Sequence, residues 1–232
     1  MPFIAIDGCD GSGKTTQCDM LAALLRRTGA DADPLIISHP THDGLGGLLR
    51  RTLHKEKQRF DPWAETFLYA ADIAQTAQQV IKPRLAAGRW VLAHRWWYSS
   101  VVYQAAIDGC DWDAVRDISR AAASGLVPDV SIILMAKPET AMARIGARGE
   151  DIVSPYENLP HLQAAYDGFD RLRGDKYAET LASPDDGVAL AEVVRPLWYC
   201  QTDDATPEQV HESIVSTLAT CGFGGALHVG VA

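Results

Sequence analysis

Gly8-Cys9-Asp10-Gly11-Ser12-Gly13-Lys14-Thr15 stands between an apolar run, Phe3–Ile6, and a helical pattern, Lys14–Arg27, and this placement decides the fold. The octet matches GxxxxGK[ST] in the strand, loop and helix context that the phosphate-binding loop requires. Its glycines let successive backbone N–H groups turn inward around phosphate oxygens, and the helix N-terminus adds partial positive charge. Lys14 is placed to bridge the β- and γ-phosphates of ATP, and Thr15 to set its hydroxyl on Mg²⁺. Gly8, Asp10, Gly11, Ser12, Gly13 and Thr16 complete the expected cradle. Such a loop gives nucleotide binding but does not by itself specify a reaction.

Outward from the loop, the apolar runs Leu35–Ser38, Trp90–Ala93, Val130–Met135 and Pro196–Cys200 alternate with amphipathic patterns, among them Asp61–Ala86 and Pro138–Arg148. This alternation is the sequence form of a parallel sheet with crossover helices. We therefore expect an α/β, three-layer P-loop NTPase fold, with a five-stranded parallel sheet flanked by helices and a small lid. Residues 1–220 are the expected single domain. The lid falls near 149–158, where GEDIVSPYEN is polar and has no apolar period. Asp175–Pro196 reads as a surface excursion, and 221–232, rich in Gly and Ala, as a flexible tail.

Composition narrows the partners. With 47% hydrophobic and 22% charged residues, the 232-residue chain has ample material for a core. A formal charge of -9 argues against duplex nucleic acid as the main partner, so bound phosphate must be met locally. Cys9, Cys18, Cys110, Cys200 and Cys221 lack CxxC or zinc-ligand spacing, which fits a reducing, cytoplasmic compartment. MPFIAIDG runs straight into the motif, and no apolar stretch reaches the ~18 residues of a membrane span. We expect neither signal peptide nor membrane association.

The stretch FIAIDGCDGSGKTTQ resembles the opening of the thymidylate kinase family, including an acidic residue, Asp10, inside the loop. ETFLYAADIAQTAQQVIKPRLAAGRWVLAHRWWYSSVVYQ, Glu65–Gln104, is similar to that family's long helix, third strand and acceptor loop. VPDVSIILMAKPETAMARIGARG resembles the fourth strand, its PE.A..R turn and a helix ending in Arg-Gly before the lid. DATPEQVHESI resembles the final loop and helix, where the family holds adenine.

The resemblance implies a homodimeric nucleoside monophosphate kinase that moves the γ-phosphoryl of ATP onto a deoxynucleoside monophosphate, dTMP to dTDP. It implies that Asp10 lies near the acceptor's sugar hydroxyl, that Tyr69 stacks on the base, and that Arg95 grips the acceptor phosphate. A guanidinium fork suits two-point phosphate recognition, and the carboxyl end of a parallel strand is where ligands bind. Ser99, Ser100, Tyr103 and Gln104 match the stretch that reads base and sugar. Arg148 falls where a guanidinium lies on adenine, with Arg144 beside it, and Tyr156-Glu157 matches an aromatic-acid pair near the acceptor. Lys14, Asp10, Arg95 and Arg148 are the implied catalytic set. Other readings stay open: Tyr69 as a core tyrosine, Ser99 as a helix N-cap, Arg148 as a cation on a helix C-terminus.

The chain also departs from the family's pattern. His94-Arg95 replaces Asp-Arg, and a neutral imidazole is a poor ligand for hard Mg²⁺. Asp10, or water held by another acid, then takes that role, or turnover is slow. Ile73 stands where an arginine reads the pyrimidine carbonyl edge, and His39-Pro40 where Glu-Pro or Phe-Pro is usual. Pro155 occupies an arginine position, and Glu150–Asp170 contains no Lys or Arg, leaving Arg144 and Arg148 to neutralise the transferring phosphoryl. These departures define two further readings: a kinase for a modified pyrimidine deoxynucleotide, and a catalytically weak nucleotide-binding regulatory protein.

Overall fold

β1 (Phe3–Gly8) is buried along its whole length, as a central strand covered on both faces must be. The computed structural model describes residues 2–55, 59–148, 154–173, 180–181, 193–194 and 197–227. After β1 come α1 (Lys14–Thr28), β2 (Leu35–Ser38), α2 (Gly44–Arg50) and α3 (Pro62–Thr76). Asp61 caps α3 by accepting from Trp63 N, with Pro62 at the first helical position. The helical run continues through π-helical turns at Ala77–Ile81 into α4 (Lys82–Ala86), so the single long helix expected over Asp61–Ala86 widens in its middle. β3 (Val91–His94) leads to α5 (Trp97–Ser100), π-helical turns at Val101–Ile107, and α6 (Trp112–Ala122). Then follow β4 (Val130–Met135), α7 (Pro138–Gly146), α8 (Leu159–Leu172), β5 (Thr180–Leu181), β6 (Val193–Val194), β7 (Leu197–Gln201), α9 (Pro207–Leu218) and α10 (Gly224–Leu227).

Five strands form one parallel sheet in the order β2-β3-β1-β4-β7, the α/β architecture read from the sequence. Side-chain alternation along the strands divides the core in two. Phe3, Ala5, Val91 and Ala93 face α3, α5 and α8 on one side, packing with Ile73, Trp96, Trp97 and Phe169. Ile4, Ile6, Leu92 and Ile132 face α1 and α9 on the other, with Leu21, Leu25, Ile214 and Leu218. The register pairs Ile6 with His94 and Gly8 with Leu134, so the carboxyl ends of β1, β3 and β4 open at one edge.

One expectation needs correction. Residues 221–227, read as the start of a flexible tail, kink at Gly222 (φ 95°) and then run as the short packed helix α10. Phe223 meets Trp90 edge-on at 5.7 Å, and Leu227 is 5% exposed in the second core. Two apolar side chains four residues apart share a helix face, and this outweighs the glycines around them. Residues 228–232 lie outside the described residues, as do 149–153 of the lid and most of Asp175–Pro196. Of that last stretch, β5 and β6 pair antiparallel. Among the described residues, no helix is long and apolar enough to cross a membrane.

Candidate active site

The glycine-rich turn owes its shape to positive φ at Gly8 (139°), Gly11 (78°) and Gly13 (98°), a region that residues with a side chain avoid. Space adds a second constraint: a Cβ on Gly8 would collide with the Leu134 carbonyl oxygen, and one on Gly11 with that of Ala141. Lys14 is 4% exposed and donates from Nζ to the Cys9 carbonyl at 2.6 Å. Burial, reinforced by the Arg95 charge, pulls its pKa down to about 8. Ser12 Oγ is buried without a hydrogen-bond partner, and Thr15 and Thr16 are exposed on the first turn of α1. An orphaned hydroxyl, a retracted lysine and an accessible threonine around a turn with no room for a Cβ at Gly8 or Gly11 fit a nucleoside triphosphate with Mg²⁺.

Thr15 Oγ1 lies 3.1 Å from His94 Nε2. Burial, followed by the nearby charges of Lys14 and Arg95, lowers the His94 pKa to about 3, so its ring is neutral at physiological pH. His94 Nδ1 is buried and has no partner.

Arg95 follows β3 with φ 72°, and its backbone N–H donates to Ile6 at 3.0 Å. The left-handed turn throws its side chain across the end of β1. Nη1 donates to the Gly8 carbonyl and Ser99 Oγ, both at 3.0 Å; Nη2 donates to Asp10 Oδ1 at 2.6 Å and the Tyr103 hydroxyl at 3.1 Å. Its guanidinium also sits 4.8 Å from the centroid of the Tyr103 ring. Asp10 experiences a large desolvation effect that would raise its pKa, but Arg95 and Lys14 outweigh it and hold the carboxyl at about 2.

Beneath this pair, Asp7 is 0% exposed and accepts from Trp96 N (3.1 Å), Ser99 N (3.2 Å) and Ser99 Oγ (2.6 Å). Burial lifts its pKa to about 6 against those hydrogen bonds. Asp7 thereby fastens the start of α5 to the end of β1.

A cleft opens beside Arg95, lined by Tyr69, Trp96, Ser100, Gln104, Tyr156 and Glu157 among others. Gln104 is 1% exposed, yet neither atom of its amide has a partner. His39 Nδ1 lies 3.2 Å from the Arg95 carbonyl, while its Nε2 is buried and unpartnered. Arg50 reaches the cleft from α2, anchored by Nε donating to Pro40 O at 2.8 Å and Thr41 O at 3.2 Å.

The Tyr156 ring stands edge-on to Tyr103 at 4.9 Å, and its hydroxyl donates to Asp108 Oδ2 at 2.7 Å. The same hydroxyl accepts from Arg59 Nη2 at 2.7 Å, and that guanidinium pairs with Glu65 and Asp108, both at 2.7 Å.

Most of the residues singled out by sequence therefore converge. Asp10, Tyr69, His94, Arg95, Ser99, Ser100, Tyr103, Gln104 and Tyr156 all line this cleft next to the glycine-rich turn. Ile73 does not: it is 2% exposed in the core, because an isoleucine on the inward face of α3 gains more by burial than at a polar wall. Ser99 is not the N-cap of α5, a position Trp96 holds; its hydroxyl donates to Asp7 and accepts from Arg95 at the cleft wall.

Arg148 is half exposed and lies 3.8 Å from Glu157. Arg144 donates from Nη1 to Thr202 Oγ1 at 2.9 Å and from Nη2 to the Thr202 carbonyl, tying α7 to the end of β7. Sequence reasoning missed Asp7, Arg50 and Arg59. Asp7 had a signal, a carboxylate within a wholly apolar strand, since a buried charge requires partners. Arg50 and Arg59 had none.

Three comparisons bear on this geometry. Residues 6–192 match the family model described as Thymidylate kinase. Thymidylate kinase of Synechococcus sp. (strain RCC307) is 34% identical over 217 residues, covering 91% of this chain and 92% of that protein. Thymidylate kinase of Carboxydothermus hydrogenoformans is 34% identical over 174 residues, covering 75% and 85%. In fold, the chain is similar to the crystal structure of thymidylate kinase from Ehrlichia chaffeensis, with TM-score 0.68 at 20% identity over 94% of this chain and 98% of that one.

Proposed function

Because the chain belongs to the thymidylate kinase family, we propose that it transfers the γ-phosphoryl of ATP to a deoxynucleoside monophosphate, dTMP to dTDP. The observation that carries this reading is Arg95. One guanidinium contacts both a carbonyl of the glycine-rich turn and the carboxylate within it, while the rest of its surroundings form the acceptor cleft.

In this reading Gly8–Thr16 and Lys14 hold ATP, and Arg144 and Arg148 flank the adenine side. The Thr15 hydroxyl is the protein's group toward Mg²⁺, which neutralises phosphate charge when bound. Arg95 exchanges contacts with Asp10 for the acceptor phosphate, leaving Asp10 to take the sugar hydroxyl. Tyr69 supplies a face for the base, and stacking of this kind stabilises by ~1–3 kcal/mol. Gln104 meets the base edge. Phosphoryl transfer needs little covalent help, so the chain contributes positioning and charge stabilisation.

A second reading, a non-standard or modified pyrimidine acceptor, is supported by Ile73, which stands buried where the family has an arginine, and leaves Gln104 to meet the base edge. An amide can turn to present either its carbonyl or its NH₂, so it matches a 4-keto or a 4-amino base edge equally well. The exposed aromatics of α3, Trp63 and Phe67 with rings 6.4 Å apart, support a homodimer packed on that face. Five free cysteines support a reducing, cytoplasmic setting.

ADP release should be measured with dTMP, dUMP, dCMP and 5-substituted analogues, beside direct ATP binding. Turnover is expected with dTMP, and strong preference for it removes the second reading. Tight ATP binding without transfer to any monophosphate refutes the kinase reading and leaves a regulatory nucleotide-binding protein.

A further inference from the structure

Resting on the kinase reading above, we infer that Asp7 is a positioning residue for the acceptor phosphate: its carboxylate dictates which way the Ser99 hydroxyl points, and that hydroxyl holds Arg95. Protonation of Asp7 therefore weakens acceptor capture and leaves the ATP cradle intact.

The Ser99 oxygen stands between two groups, 2.6 Å from Asp7 Oδ1 and 3.0 Å from Arg95 Nη1. A carboxylate can only accept and a guanidinium can only donate, so the single hydroxyl hydrogen points at Asp7 and a lone pair at Arg95. Nη1 has a second anchor in the Gly8 carbonyl at 3.0 Å, whereas Nη2 holds Asp10 and Tyr103. When Nη2 turns from Asp10 to the acceptor phosphate, the Nη1 side is the pivot. A planar fork held at two points keeps its orientation, and one held at a single point swings about it.

A proton on Asp7 reverses this relay. Its partners among the described residues are Trp96 N, which donates to both oxygens at 3.1 Å, Ser99 N at 3.2 Å, and Ser99 Oγ. Of these only Ser99 Oγ can accept, so a carboxyl O–H turns the serine hydrogen away from Asp7 and toward Arg95, donor against donor. Around Asp7 stand Arg95 after β3, Lys14 and Cys18 on α1, and Tyr98 on α5. Complete burial lifts Asp7 to about 6, against the pull of its hydrogen bonds and of the Arg95 and Lys14 charges. Burial brings Lys14 down to about 8, pushes Cys18 up to about 12, and raises Tyr98 as well. Asp7 is thus the member of this group that changes charge between pH 5 and 7. Its carboxylate, and with it the grip on Arg95, is present above that window and lost below it.

The test measures kcat/KM for dTMP, and ATP affinity, on the full chain from pH 5 to 8 beside Asp7→Asn, an isostere that cannot ionise. The acceptor phosphate itself titrates near pH 6, and the ratio of wild type to variant cancels that contribution. At pH 8 the ratio should be about tenfold, the value of one hydrogen bond to a charged group, expressed mainly in KM. It should shrink toward one by pH 5, where the wild type is protonated too. Ser99→Ala should lose the same factor, and the double variant little more than either single. ATP affinity should hold in every variant. A ratio flat from pH 8 to 5, additive losses in the double variant, or a parallel fall in ATP affinity overturns the role of Asp7 and leaves the kinase reading standing. Absence of turnover at every pH overturns both. Should Asp7→Asn not fold, the ratio of wild type to Ser99→Ala decides in the same way.

Discussion

Replacing Arg59 with methionine should destabilise the protein severely and loosen one wall of the acceptor cleft. The Arg59 side chain is 30% exposed, but it serves Glu65 at 0% exposure and Asp108 at 8%. Glu65 also accepts from Phe60 N at 3.1 Å, so the carboxylate cannot swing out to water without breaking the entry to α3. Removing one partner of a buried ion pair leaves an uncompensated charge, which costs ~3–5 kcal/mol. Loss of the hydrogen bond to Tyr156 adds about 1 kcal/mol, and the methionine's retained packing offsets a similar amount. The expected loss is therefore ~3–5 kcal/mol, read as a lower urea midpoint at unchanged slope.

Arg59→Met combined with Glu65→Met should be less damaging than Arg59→Met alone, since the fully buried carboxylate is then gone and only Asp108, which keeps the Tyr156 hydroxyl, lacks its cation. Tyr156 loses its bond from Arg59 in both variants and keeps the one to Asp108, so KM for the acceptor should rise modestly while ATP affinity holds. A loss below about 1 kcal/mol for Arg59→Met, or a double variant weaker than the single, refutes the reasoning.

Arg95→Lys keeps the charge but loses the fork; kcat/KM for the acceptor should fall by about 10², equivalent to two charge-assisted hydrogen bonds, with ATP binding changed only slightly. Acceptor kinetics at saturating ATP check this. Lys14, depressed to about 8 by burial, must be protonated to hold phosphate, so ATP affinity should be flat below pH 8 and fall up to tenfold per unit above it. Calorimetry in buffers of different ionisation enthalpy should show proton uptake in that upper range, and a flat affinity to pH 9.5 counts against it. Phe67 is 56% exposed on α3, and Phe67→Glu should convert a dimer to monomer in sedimentation velocity; an unchanged species rejects that face as the interface.

Much of this architecture is legible because buried parallel strands read as continuous apolar runs. Leu35–Ser38 and Val130–Met135 stand where their runs place them, whereas the third strand begins at Val91 and ends on His94. Pairing with β1 decided that shift, and backbone register is invisible to composition. The positions of the glycine turn and of Arg95 were readable because each follows directly on an apolar strand run. Arg59 was not, since it meets Tyr156 across 97 residues. Ile73 shows another limit: its place in the chain was readable, but its depth in the core depends on how α3 rolls against the sheet.

The pairing of Ile6 with His94 sets the glycine-rich turn and Arg95, the two phosphate grips of the proposed reaction, on adjacent strands, one leaving β1 and the other β3. Hydrogen-bonded strands keep a separation of about 4.8 Å, and no side-chain rotation alters it. The sheet thus acts as a ruler between donor and acceptor. Substitutions can slacken either hand, yet the gap across which the phosphoryl group must travel is calibrated by the main chain.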